Sequence, residues 1–256
     1  MAIHLRQICL VARQLQPTID ALTDVLGIPV VFVDPAVGRY GLENTLMLIG
    51  TQFLEVVAPT EDGTAAGRFM DRIGGDGGYM VITQSSSRDV QESVRANAAA
   101  NGVRVANERD HGWYRLFQLH PGDMGASFFS APWVEGGDPV GRWPFGGDRV
   151  WMDKRDQCKA TAITAAELRA TDPEALAKHW AAVAGREMNV QDGVPGYDLD
   201  NVRIRFVPAG DQPQCLAALD LTVDDVAATI ARAKARGLPT SEDSVTICGT
   251  RFNLSA

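Results

Sequence analysis

Four stretches of the chain repeat one pattern of apolar and polar positions. Each has an extended apolar run, a turn containing Asp, Gln or Pro, and then apolar residues at helical spacing closed by Gly. The stretches are residues 7–27, 79–102, 165–185 and 218–237. Ile19, Leu22 and Leu26 mark the helical face of the first, and Val90, Val94 and Ala98 that of the second. Leu176, Trp180 and Val183 mark the third, Val226 and Ile230 the fourth. The spacing predicts helices over 17–26, 89–101, 173–184 and 224–236. Asp172-Pro173 suits a helix start, since Asp caps free amides and Pro is tolerated in the first turn. Gly27, Gly102, Gly185 and Gly237 suit the left-handed residue that ends a helix.

Segments rich in Val, Ile, Phe, Tyr and Trp follow the helices, such as IPVVFVD and TQFLEVVAP in the first unit and WYRLFQLH and ASFFSAPW in the second. That composition fits strands. Each unit therefore reads as βαβββ, or close to it, with short strands in the fourth. The fold class is α+β: four βαβββ modules forming two tandem paired-module domains. The first domain spans 1–135, from modules 1–59 and 77–135, and the second spans 158–256. A Gly/Pro-rich connector, 136–157, lies between them without either periodicity. It carries Trp143, Phe145 and Trp151, so it is expected to pack on a domain.

The chain's 256 residues suit two domains of ordinary size, and 45% hydrophobic residues supply their cores. A net charge of -8 with no run of Lys or Arg argues against a nucleic-acid or acidic-membrane partner. The opening MAIHLRQICLVARQL lacks the organisation of a secretion signal, and no segment approaches the ~18 apolar residues of a membrane helix. Cys9, Cys158, Cys215 and Cys248 are far apart and form no metal-binding spacing, which reads as buried, reduced thiols and a cytoplasmic protein.

The run QICLVARQLQPTIDALTDVLGI followed by TQFLEVVAP is similar to the opening module of the vicinal oxygen chelate (glyoxalase-like) superfamily. HPGDMGASFFSAPW resembles a closing segment of such proteins. The superfamily includes glyoxalase I, methylmalonyl-CoA epimerase, extradiol dioxygenases and bleomycin-resistance proteins. The resemblance implies paired modules curled into a cup, with one metal ligand from a module's first strand and one, often Glu, from its last. In the first unit those positions are Gln7 and Glu55. Alternation places Gln7 on the face of Leu5 and Cys9, and Glu55 on the face of Phe53 and Val57. The other units depart from this pattern, offering Met80 or Ile82 with Phe128, Ala165 with Arg205, and Ala218 with a residue near Asn253. The second domain is accordingly expected to be metal-free, with Arg205 free to hold an anion or to pair with a carboxylate. An extradiol iron site is rejected, since His179 is the only histidine of that domain.

The first reading is a lyase or isomerase acting on a small carbonyl or enolisable substrate in the first cup. In that reading the resemblance implies one divalent metal on Gln7 and Glu55, and His120 as a third ligand or acid/base. Tyr40 and Tyr114 would line the substrate pocket. Two alternatives stay open: a non-catalytic protein that sequesters a small molecule, and metal-free acid/base catalysis by Glu55 and His120. A homodimer is compatible with all three.

Overall fold

The computed structural model describes residues 2–256. In the first module, β1 (Ile3–Val11) leads into α1 (Leu15–Leu26), and β2 (Val30–Phe32), β3 (Leu42–Ile49) and β4 (Gln52–Pro59) follow. A helix that the repeat did not predict, α2 (Ala65–Ile73), precedes the second module. Thr64 caps it, accepting from the Gly67 amide at 2.9 Å, while Phe69 and Met70 anchor it in the core.

The second module contains β5 (Gly77–Ser85), α3 (Arg88–Ala100), β6 (Val105–Asp110), β7 (Tyr114–Leu119), the one-turn α4 (Pro121–Met124), β8 (Phe128–Ser130) and β9 (Trp133–Val134). The third has β10 (Ala160–Ala170), α5 (Pro173–Ala184), β11 (Asn189–Gln191), β12 (Val194–Asp198) and β13 (Arg203–Pro208). The fourth has β14 (Cys215–Val223), α6 (Val226–Ala235), β15 (Ser244–Ile247) and β16 (Thr250–Ser255). Two strands follow α6 where the repeat predicts three. The four module helices lie within two residues of their predicted limits at each end. Asp172 and Asp225 cap α5 and α6 through the amides of Ala175 and Ala228, each at 2.9 Å.

In each module the first strand pairs in parallel with the last, as β1 with β4 and β10 with β13. Modules then join through their first strands, β1 antiparallel to β5 and β10 antiparallel to β14. Each pair of modules thus forms one curved sheet. The two sheets meet at a single bridge, Leu216 to Gly78, where a Cβ on residue 78 would stand 2.4 Å from the Leu216 carbonyl oxygen.

Alternation along the strands divides the side chains between two cores. Ile8, Leu10, Leu54, Val56, Ile163, Leu168, Leu219 and Leu221 join the module helices in one continuous core spanning both sheets. There α1 packs against α6, and α3 against α5. The opposite face of the first sheet carries Cys9, Val11, Leu46, Phe53 and Val57, covered by α2 and by Trp143 and Trp151 of the connector. The polar backbone groups at the junction are also paired. The Gln52 amide bonds the backbone of Ile163 in both directions, at 2.8 and 3.1 Å, and Asn201 does the same for Leu5 at 2.8 and 3.0 Å.

Strict alternation fails at one place in β1. Leu5 pairs with Thr83 and Gln7 with Ile82, which makes Arg6 the extra residue of a bulge. Leu5 therefore joins the helix-side core and does not share the cup face with Gln7. Arg6 is fully buried, its Cζ 5.4–5.6 Å from the ring centroids of Phe53, Trp143 and Trp151. Its Nη2 donates to the Gly141 carbonyl at 2.6 Å, and burial pushes its pKa down to about 10.

Candidate active site in the first cup

The concave face of the first sheet encloses a cavity of about 750 Å³. Gln7, Cys9 and Glu55 lie in its wall with the apolar residues Leu42, Val57, Phe69, Tyr79, Ile82 and Phe128. Tyr40, Tyr114 and His120 line it as well, so five of the six residues predicted for the site share one cavity.

Glu55 is 8% exposed and has no cationic partner among the described residues. Its Oε2 accepts from Gln7 Nε2 at 2.8 Å and its Oε1 from Asn44 Nδ2 at 2.6 Å, and the Cys9 thiol is within hydrogen-bonding reach. Burial raises the carboxyl pKa above its ordinary 4.5, and the three neutral donors only partly offset that rise. Neither Arg6 nor Arg39 pairs with Glu55.

Both amides that serve Glu55 are locked from behind. Gln7 Oε1 accepts the indole N–H of Trp143 at 2.7 Å, and Asn44 Oδ1 accepts the Asp34 backbone N–H at 2.9 Å. With their oxygens occupied, the two amides can offer only N–H to residue 55. The position therefore selects an acceptor on both oxygens, and three donors leave the carboxylate a lone pair for a proton. Trp143→Phe would orphan the buried Gln7 oxygen. Urea denaturation should show a loss of about 1–3 kcal/mol from that oxygen alone, with an unchanged m-value.

The same wiring argues against the predicted metal pair. The Gln7 oxygen that would ligate an ion is bonded to Trp143, and its amide nitrogen faces Glu55. The second-module positions that correspond to Gln7 and Glu55 hold Met80 or Ile82 and Phe128, which give no hard oxygen donor, although Asn107, Gln118 and His120 of that module line the cavity elsewhere. No cluster of three His, Cys, Asp or Glu able to hold an ion occurs among the described residues. The Gln7–Glu55 pair and the matching second-module positions therefore do not fit a divalent cation.

His120 caps α4, its Nδ1 accepting the Gly122 N–H at 3.2 Å, so a neutral ring carries its proton on Nε2. Tyr40 Oη accepts from Arg109 Nη2 at 3.0 Å. Burial first, and Asp34 as well, raise the Tyr114 pKa against the opposing pull of Arg39 and Arg109, so its hydroxyl remains a donor.

Arg205 is the predicted residue that the structure leaves out of this cavity. It lies in the second cup, donating to Glu167 through Nε at 2.8 Å and to Asp220 through Nη1 and Nη2. Arg251 completes Glu167 at 2.7 Å, and Asn253 completes Asp220 at 2.7 Å. The guanidinium is therefore committed to carboxylates and is not placed to receive a substrate anion.

The sequence reading missed Asn44 and Trp143. Asn44 sits among the polar residues Glu43 and Thr45 at the start of β3, so only its alternation with Leu46 and Leu48 marked it as a residue of the cup face. Trp143 carried no signal as a site residue, because 136 residues separate it from Gln7.

A glyoxalase-like domain family model matches residues 8–184, well over half of the chain, and a second glyoxalase-like domain model matches 165–243. The chain belongs to the glyoxalase-like domain family. Among solved structures, a hypothetical protein from Staphylococcus aureus matches over 100% of this chain and 99% of its own, with 14% identity and a TM-score of 0.65. The Mn(II)-bound glyoxalase from Novosphingobium aromaticivorans matches over 98% of this chain and 81% of its own, with 14% identity and a TM-score of 0.66. A methylmalonyl-CoA epimerase from Streptomyces coelicolor covers 52% of this chain and 99% of its own, at 18% identity and a TM-score of 0.45. At such identities the likeness is one of fold. No curated protein matches the sequence. This glyoxalase-like chain has no helix among its described residues long and apolar enough to cross a membrane.

Proposed function

We propose that this protein is a lyase or isomerase that moves a proton beside the carbonyl of an enolisable substrate in the first cup, with Glu55 as the base. One observation carries the reading: a buried carboxylate without a cation, its oxygens fixed by two oriented amides, in the wall of a large apolar cavity. Ion-pair partners hold carboxylates at low pKa; burial instead raises this one above its ordinary 4.5, the direction that makes a carboxylate a better base.

The C–H bond next to the carbonyl breaks, its proton passes to a free lone pair of Glu55, and its electron pair moves onto the carbonyl oxygen. Tyr114 Oη and His120 Nε2–H, both on residues lining the cavity, supply donors for the developing oxyanion. Delivery of a proton to the opposite face by a second donor, while Glu55 keeps the abstracted one, gives epimerisation. Expulsion of a β-substituent gives elimination.

Incubation in D2O with enolisable carbonyl compounds, followed by NMR, tests the reading directly. Deuterium should enter the carbon beside the carbonyl. Because the ionised form is the base, the exchange rate should climb as pH rises through the Glu55 pKa, with its midpoint above 4.5. Tight binding of compounds that never exchange would favour a sequestering protein instead.

A further inference from the structure

Four arginines line the cavity: Arg39 from the 3-10 turn Pro35–Tyr40, Arg68 and Arg72 from α2, and Arg109 from β6. Among the described residues none of them has a carboxylate within ion-pair distance, whereas nine other arginines do. Arg68 and Arg72 stand one turn apart on one short helix, an arrangement of like charges that disfavours the helix. Arg109 is aimed by Tyr40, and its Nε is buried without a partner. Only Asp34 and Glu55 oppose these charges in the cavity wall, so the cup carries a net positive charge within a chain of net charge -8. The remaining wall is mostly apolar.

We infer that the ligand of the first cup is an organic anion with an apolar body, its carboxylate or phosphate head held by these arginines. Guanidinium groups at the edge of a low-dielectric cavity attract such a head strongly, and their planar forks match it. The cavity of about 750 Å³ is also far larger than a two- or three-carbon carbonyl compound needs, and suits a ligand with a ring or an acyl chain. This inference rests on the reading that the first cup is the functional site.

Fluorescence titration with 8-anilinonaphthalene-1-sulfonate and with N-phenyl-1-naphthylamine, the same rings without the sulfonate, tests it. The anionic probe should bind more tightly, and the difference should shrink with salt. In the double variant Arg68→Gln/Arg109→Gln, affinity for the sulfonate should fall roughly tenfold for each lost charge-assisted bond. The neutral probe should bind as before, which shows that the cup still folds. Displacement by decanoate or by decyl phosphate, but not by decanol, then identifies the head group. Equal affinity for the two probes, unaltered sulfonate binding in the double variant, or displacement by decanol as well as by the anions would overturn the inference. The two readings fail separately. Anion selectivity without any deuterium exchange removes the catalytic proposal alone, and exchange on neutral carbonyls without anion preference removes this one alone.

Discussion

Glu55→Gln should lower deuterium exchange by about 10²–10⁴-fold, the range over which a positioned general base contributes, while the fold survives. The variant keeps the size of the side chain and removes its basicity. Two opposing effects keep the stability change at pH 7 small. Removing the carboxylate relieves a charge that burial disfavours, but a Gln offers an N–H where Gln7 and Asn44 both present N–H. That donor-to-donor contact costs about 1–3 kcal/mol. The balance depends on pH in a defined direction. A carboxyl whose folded pKa is raised contributes stability below its unfolded value near 4.5, and that contribution fades as pH rises through the folded value. Wild type therefore gains on the variant as pH falls. Thermal melts from pH 7 to pH 4 should show the melting temperature of the variant dropping relative to wild type. A variant that exchanges deuterium at the wild-type rate would remove Glu55 from the mechanism.

Arg205→Ala should produce the largest loss of stability and no change in exchange. It leaves Asp220 with only the neutral Asn253 and Glu167 with Arg251 alone. Breaking a buried pair from one side costs about 3–5 kcal/mol. The partial exposure of this network and the remaining Arg251 place the loss near ~3 kcal/mol, or roughly 10 °C in melting temperature for a chain of this size. Burial alone would raise the Asp220 pKa, but the bonds from Arg205 and Asn253 outweigh it and hold the carboxyl below its ordinary value. Its stabilising contribution is therefore present above pH ~4 and disappears on acidification. The penalty of Arg205→Ala should shrink in the same window, which calorimetry at pH 7 and pH 3 can measure.

The module helices were legible because an apolar stripe at helical spacing and a terminal cap are local signals. Asp172-Pro173 and Gly185 bracket α5 within one stretch of chain. Gln7 and Glu55 were singled out through the family resemblance, as a metal-ligand pair; that they bond each other instead follows from β1 lying beside β4. Leu5 was misassigned because a bulge leaves no mark in a pattern of two. Contacts made across the tertiary fold were not legible. The Trp143 bond to Gln7 depends on where a segment without periodicity settles. The four arginines of the cup are scattered from residue 39 to residue 109, so no basic run announces them. Arg205 fell at the position corresponding to Glu55, but the sequence could not show that Glu167 and Asp220 would close around it.

The two curved sheets share one continuous core, filled by α1, α3, α5 and α6, and backbone groups at their junction are paired across it. Cutting the chain at the connector would expose an apolar helix layer on each half. The protein should consequently melt in a single calorimetric transition, with the slowest-exchanging amides lying in both β1 and β10. On this account the second pair of modules serves as the wall against which the first is built. Selection acting on the chemistry of one cup would then constrain residues of the other, even though no reactant reaches them.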